Sequence, residues 1–187
     1  MEQEIKNAID TLLKGGTILY PTDTVWGIGC DATNKEAVDK ILKLKKRSGA
    51  KSLIVLIDKE QQLNKYINEV PAIAWDLIEH SDKPLTIIYP GAKALAPNVL
   101  NEDGSVGIRV VKDEFCRKLI NRFGKPIVST SANISGEQTP KKFKEISSPI
   151  LQGVDYIVNL RQTEPCIKEP STIIKLAMNG EVKIIRD

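Results

Sequence analysis

Thr130-Ser131-Ala132-Asn133-Ile134-Ser135-Gly136 follows directly on the apolar run Pro126-Ile127-Val128-Ser129. Short hydroxyl and amide side chains thus crowd the place where a strand should end. They offer donors and acceptors that lose little entropy on ordering, while Gly136 opens backbone conformations closed to other residues. Such a loop suits a polar ligand, although a strand-to-helix turn capped by Ser or Asn uses the same residue types. A second stretch, residues 21–29, sets the hydroxyls of Thr22 and Thr24 and the carboxylate of Asp23 at a turn, with Trp26 beside Gly27 and Gly29. Together these would make a small pocket with a polar rim; singly, Asp23 closes an Asx-turn and Trp26 is core. A third stretch, residues 43–52, carries five cationic side chains and no acid. It would grip a polyphosphate through the forked guanidinium of Arg47 and the mobile charges of the lysines, or else it is a solvated helix end complementing its own dipole.

Several chemistries are excluded. His80 is the only histidine, so no histidine-based metal site or histidine pair can form. It falls at the end of a predicted helix, the place of a surface histidine that offsets the helix dipole. Gly124-Lys125 is followed by Pro126 and lacks the upstream glycine of a P-loop, and Gly27-Ile28-Gly29 lacks the third glycine of a dinucleotide fingerprint. Cys30, Cys116 and Cys166 are odd in number, widely spaced and free of any CxxC pattern, which argues against a disulfide framework and for a reducing cytoplasm.

The elements that must position these residues follow from hydrophobic periodicity. Ile5, Ala8, Ile9, Leu12 and Leu13 recur at helical spacing and stop at Gly15-Gly16. Further helices are predicted over 35–46 with Asn34 as cap, 61–66, 72–79 and 114–123. Strands are predicted over 17–20, 25–30, 53–57, 85–89, 106–111, 127–129, 156–158, 172–176 and 182–185. Residues 136–149, rich in Lys, Ser and Pro, are expected to be a mobile excursion. Strands sometimes follow one another without an intervening helix. The expected fold is therefore a single α/β (α+β) domain over 1–187, a twisted mixed β-sheet with flanking helices. The 187 residues, 41% hydrophobic with a formal net charge of +3, fill one core and leave bulk charge uninformative about partners. No apolar run approaches the ~20 residues of a membrane span, and neither a signal peptide nor an anchor is expected.

Four segments occur in the order and approximate spacing of one family: residues 21–29; Lys45-Lys46-Arg47 with Lys51; Ser105-Val106-Gly107-Ile108-Arg109; and residues 129–136. Pro170-Ser171-Thr172-Ile173 and Ile184-Ile185-Arg186 extend the match along the chain. In these motifs the sequence resembles the YrdC/Sua5 family, in its short YrdC-like form. The resemblance implies a concave basic ligand-binding face and synthesis of threonylcarbamoyl-adenylate and pyrophosphate from L-threonine, bicarbonate and ATP. The product supplies the threonylcarbamoyl group of tRNA N6-threonylcarbamoyladenosine through downstream transfer machinery. It further implies that Lys45, Arg47 and Lys51 form the catalytic cations, and that Arg47, Lys51, Ser105, Ser131, Asn133, Thr139 and Arg186 bind ATP. Thr24, Trp26, Arg109, Ser129 and Ser171 would bind threonine, with Arg109 on its carboxylate. Mg2+ would ride on the ATP phosphates with no dedicated protein metal site. Three positions differ from the usual pattern of that family: Trp26 stands where Tyr is common, Asp82-Lys83-Pro84 where Pro-Gly-Pro is frequent, and Leu56 near the place of a His. Two other readings compete: a double-stranded RNA or tRNA-binding module without catalysis, whose footprint would be the cations of 43–51, and a related carbamoyl-adenylate-forming enzyme.

Overall fold

The computed structural model describes residues 1–46, 53–164 and 170–186. Helix α1 (Glu2–Leu13) buries Ile5, Ala8 and Leu12 on one stripe and ends before Gly15, whose φ of +69° admits glycine without strain. Helix α2 (Lys35–Leu44) starts where the Asn34 side chain accepts from the Ala37 N–H at 3.0 Å. It stops two residues short of the expected end, with Lys46 at φ 51°. Helix α5 (Glu114–Phe123) is capped by Asp113, which accepts from the Cys116 N–H at 2.9 Å, and closes on left-handed Gly124. Shorter helices are α3 (Leu63–Tyr66), α4 (Ile73–Glu79) and α6 (Ser148–Gly153). His80 caps α4, its Nδ1 2.8 Å from the Asp76 carbonyl, as expected of a surface histidine at a helix end.

All nine expected strands form: β1 (Ile18–Tyr20), β2 (Gly27–Gly29), β3 (Ile54–Ile57), β4 (Leu85–Tyr89), β5 (Val106–Val110), β6 (Ile127–Ser131), β7 (Tyr156–Ile157), β8 (Thr172–Leu176) and β9 (Val182–Arg186). Their order is β7-β1-β2-β6-β3-β5-β4-β8-β9. Pairing is parallel at β1/β7, β3/β5 and β4/β8 and antiparallel elsewhere, giving the expected mixed sheet. Strand β6 runs two residues past its predicted end because Thr130 and Ser131 pair with Ile28 and Gly27. Part of the polar stretch is therefore strand edge.

Alternation along the strands divides the core. Leu19, Ile28, Val55, Ile57 and Val128 pack on one side with α2 and α4, while Ile18, Tyr20, Leu56 and Ile127 pack on the other with α1 and α5. The expected excursion at 136–149 is tied to the first of these layers. Phe143 lies against Trp26 with ring centroids 4.9 Å apart, and Ile146 is buried. Residues 148–153, where no helix was predicted and of which 148 and 149 fall within the expected excursion, form α6, which opens with Pro149 in its first turn, where a missing N–H costs nothing.

Cys30 and Cys116 are both free and fully buried, and burial pushes both thiols up. Since only a thiolate reacts, neither should be alkylated by iodoacetamide at pH 8 in the native protein, and both should label in urea, as read by peptide mass spectrometry.

Candidate active site

Strand register assembles one face of the sheet around small and polar residues. Gly27 lies opposite Ser131, Ile54 is flanked by Ser129 and Gly107, and Leu56 lies opposite Arg109. The two glycines leave the floor low. A Cβ on Gly27 would stand 3.1 Å from the Ser129 Oγ, and one on Gly107 would stand 3.4 Å from Thr86 and Ile54. Where α1 and α5 stop covering this face, a cavity of about 110 Å³ remains. Its lining comes from the 22–27 turn, β5, β6, the loop at Thr139, the 170–173 segment and Arg186 of β9.

Arg109 is 2% exposed and is held on two sides. Its Nη1 donates to Thr24 Oγ1 at 3.2 Å, and Nη2 stands 3.2 Å from Asp23 Oδ1 in an ion pair that lacks hydrogen-bond geometry. Its buried Nε–H has no hydrogen-bond partner among the described residues. A guanidinium at this depth keeps donors in reserve for an anion, and it is matched to a carboxylate by its fork. Arg186 closes the opposite wall, donating from Nε and Nη2 to the Ser171 carbonyl at 3.1 and 2.7 Å. Burial, and then the charge of Arg109, pushes the Arg186 guanidinium below its ordinary value. The two cations therefore bear on the same space, which favours an anionic occupant. Ser171 Oγ lies 2.8 Å from Thr86 Oγ1, a fully buried hydroxyl of β4.

Of the residues that the sequence nominated, the structure brings seven to this cavity: Thr24, Arg109, Ser129, Ser131, Thr139, Ser171 and Arg186. Asn133 and Lys45 lie just behind it. The Lys45 side chain is 1% exposed and donates to the Ser131 and Asn133 carbonyls at 2.5 and 2.6 Å, while Asn133 Nδ2 donates to the Ile134 and Glu137 carbonyls. Instead of standing open as surface potential, Lys45 is the buried pin of the polar loop. Arg47 and Lys51 lie outside the described residues.

Two nominated residues fall outside this cavity. Trp26 does not wall the cavity: alternation turns it to the opposite side from Gly27, where it is core, 2% exposed against Phe143. Ser105 is absent from the cavity as well. Its hydroxyl donates to Asp103 at 2.5 Å and accepts from Asn101 at 3.0 Å, closing the turn before β5. Thr22, whose hydroxyl the sequence placed at the rim of a polar pocket, also lines the cavity, as do the motif residues Val25, Pro170 and Ile173, and Ile54, which no sequence signal selects. A larger cavity of about 670 Å³ has mixed walls, apolar at Trp75, Ile78, Leu85 and Tyr89 and charged at Asp58, Lys59, Glu60, Lys83, Lys112 and Arg117. It contains none of the residues nominated for ATP or threonine, and Asp23, which also lines it, is the ion-pair partner of Arg109.

The profile of the Sua5/YciO/YrdC family, described as Telomere recombination, matches residues 10–187. The chain belongs to this family. It is 36% identical over 186 residues to a threonylcarbamoyl-AMP synthase of Pseudoalteromonas translucida, covering 97% of both chains. The P. abyssi Sua5 solved in complex with L-threonine superposes with a TM-score of 0.83 at 27% identity, over 94% of this chain and 52% of that one. The chain thus spans about half the length of P. abyssi Sua5. E. coli YciO shares the fold at a TM-score of 0.86 and 24% identity, covering 100% of this chain and 90% of that one.

Removing the Lys45 ammonium would leave two carbonyls without their donor. Lys45→Met should cost about 1–3 kcal/mol in urea unfolding. It should also speed amide exchange at Ser135, whose N–H donates to the Lys45 carbonyl at 3.1 Å.

Proposed function

We propose that this protein is a threonylcarbamoyl-AMP synthase that condenses L-threonine, bicarbonate and ATP and releases pyrophosphate, within the synthesis of N6-threonylcarbamoyladenosine in tRNA. One observation carries the reading. Residues nominated from five separate stretches of sequence, both for threonine and for nucleotide, line a single cavity together with the buried guanidinium of Arg109 and the more exposed one of Arg186. The relative named threonylcarbamoyl-AMP synthase and the threonine-bound Sua5 support it.

In this reading the Arg109 fork takes the threonine carboxylate, while Thr24, Ser129 and Ser171 hold its amine and hydroxyl. The threonine amine adds to bicarbonate-derived carbon dioxide, giving a carbamate. A carbamate oxygen then forms a bond to the ATP α-phosphorus as the bond to pyrophosphate breaks. A cavity of about 110 Å³ is far below the ~300 Å³ of a drug-sized pocket, so it suits the amino acid, with the nucleotide at its mouth. Ser131, Thr139 and Arg186, with Asn133 behind them, meet the nucleotide there, and Arg47 and Lys51, two and six residues after the pinned Lys45, neutralise the phosphates. Catalysis is then mostly positioning and charge neutralisation. Among the described residues no group of three metal-ligating side chains stands together. In this reading Mg2+ enters on the nucleotide and keeps most of its water.

Purified protein with ATP and Mg2+ should release pyrophosphate only when threonine and bicarbonate are both present. Release that is independent of threonine would overturn the reading. Arg109→Lys should raise KM for threonine about tenfold or more, because an ammonium cannot reproduce the two parallel bonds of the fork. Arg47→Ala and Lys51→Ala should each abolish turnover while leaving urea unfolding unchanged.

A further inference from the structure

The hydroxyls at the 22–25 turn have only one consistent arrangement of protons. Thr22 Oγ1 lies 2.8 Å from the Val25 carbonyl, which can only accept, so the single Thr22 hydroxyl proton goes there. The same oxygen accepts from the Thr24 N–H at 3.0 Å. Its remaining contact, 2.9 Å to Thr24 Oγ1, must then be filled by the Thr24 proton. Thr22 is thereby saturated, with one donor and two acceptor sites in use. Thr24 has spent its only donor on Thr22 and one lone pair on Arg109 Nη1 at 3.2 Å. What it retains toward the cavity that both threonines line is a single lone pair.

We infer that Thr22 is a positioning residue that locks Thr24 as a hydrogen-bond acceptor, so that the site selects an amino acid over its 2-oxo counterpart. The inference rests on threonine occupying this cavity. Donor and acceptor stand side by side there: the Arg109 Nη1 that would meet a carboxylate is 3.2 Å from the Thr24 oxygen that would meet the adjacent α-amine. An amine that donates one N–H to Thr24 keeps its own lone pair free, as attack on carbon dioxide requires. A 2-oxo acid would turn a carbonyl oxygen onto a lone pair instead. With Thr22 locked, no rotation of the Thr24 hydroxyl can relieve that repulsion.

The test uses the full chain and calorimetric competition against L-threonine by a matched pair, L-2-aminobutanoate and 2-oxobutanoate. The wild type should favour the amino compound by about tenfold or more, since the rival leaves a buried acceptor facing an acceptor. Thr22→Val frees the Thr24 proton to turn into the cavity, and the preference should fall at least several-fold, while Thr22→Ser, which restores the oxygen, should return it. A purely structural role for Thr22 would weaken both competitors alike and leave their ratio unchanged. An unchanged ratio in a Thr22→Val protein that binds threonine overturns this inference alone. A wild-type protein that binds no threonine overturns the functional reading and the inference together. Should Thr22→Val fail to fold, the wild-type ratio still decides, because a preference under twofold contradicts a fixed acceptor.

Discussion

A guanidinium buried as deeply as that of Arg109 is the constraint around which this face of the protein is arranged. A charge taken out of water is tolerated only with a counter-ion and hydrogen-bond acceptors in good positions. Here both come from one turn, through Asp23 and Thr24. That turn leaves the sheet between β1 and β2, while Arg109 sits on β5, three strand spacings from β2 in the sheet order. At roughly 4.8 Å per spacing the turn must reach about 14 Å across the sheet. It is steadied on the way, since the Pro21 carbonyl faces the Cys116 thiol of α5. The position of α5, and with it the apolar layer shared with α1, thus bears on where the carboxylate meets the guanidinium.

Around this pair the remaining cations divide their duties by how many backbone acceptors reach them. Lys45 is engaged by the carbonyls of Ser131 and Asn133, and it fixes the shape of the loop. Arg186 is held at Ser171 by Nε and Nη2, yet it bears on the same space as Arg109, whose charge, after burial, helps to push the Arg186 guanidinium below its ordinary value. Pinning fixes geometry, whereas an anion placed between the two guanidiniums would relieve the repulsion that Asp23, paired with Arg109, leaves unscreened at Arg186. Electrostatic preorganisation of this kind costs nothing at the moment of reaction, because the charges were brought together when the chain folded.

The strands were legible because each is a short apolar run bounded by turn residues, and the terminal helix because its stripe has helical period. The end of β6 was not legible: Thr130 and Ser131 are polar, and only their partners Ile28 and Gly27 make them strand. The site divides in the same way. Motif order nominated Arg109, Ser129, Ser171 and Arg186, although nothing local distinguishes Arg109 from a strand-end surface charge. Trp26 and Ser105 sit inside the same motifs and lie outside the cavity for reasons that no motif encodes. Alternation turns Trp26 to the far side of the sheet, and Ser105 spends its hydroxyl on Asp103. The role of Thr22 is the hardest to read from sequence, since it depends on counting which lone pairs are already occupied.

The floor of the cavity shows why small residues belong to the same design as the buried charge. Gly27 and Gly107 face the side from which Arg109 projects, and the space that their missing side chains leave is bordered by Ser129, Thr86 and Ile54 at ordinary contact distance or closer. A methyl on Gly27 would press on the Ser129 hydroxyl at 3.1 Å and move it relative to Arg109. Hydrogen bonds to a guanidinium weaken steeply with misalignment, so a displacement of a few tenths of an ångström matters more here than in a purely apolar pocket, where neighbouring methylenes can adjust. The buried charge demands donors and acceptors at fixed positions, and fixed positions in turn demand a floor that no side chain pushes upward. The glycines of β2 and β5 therefore serve the arginine as directly as Asp23 does, through the space they leave empty and not through any bond.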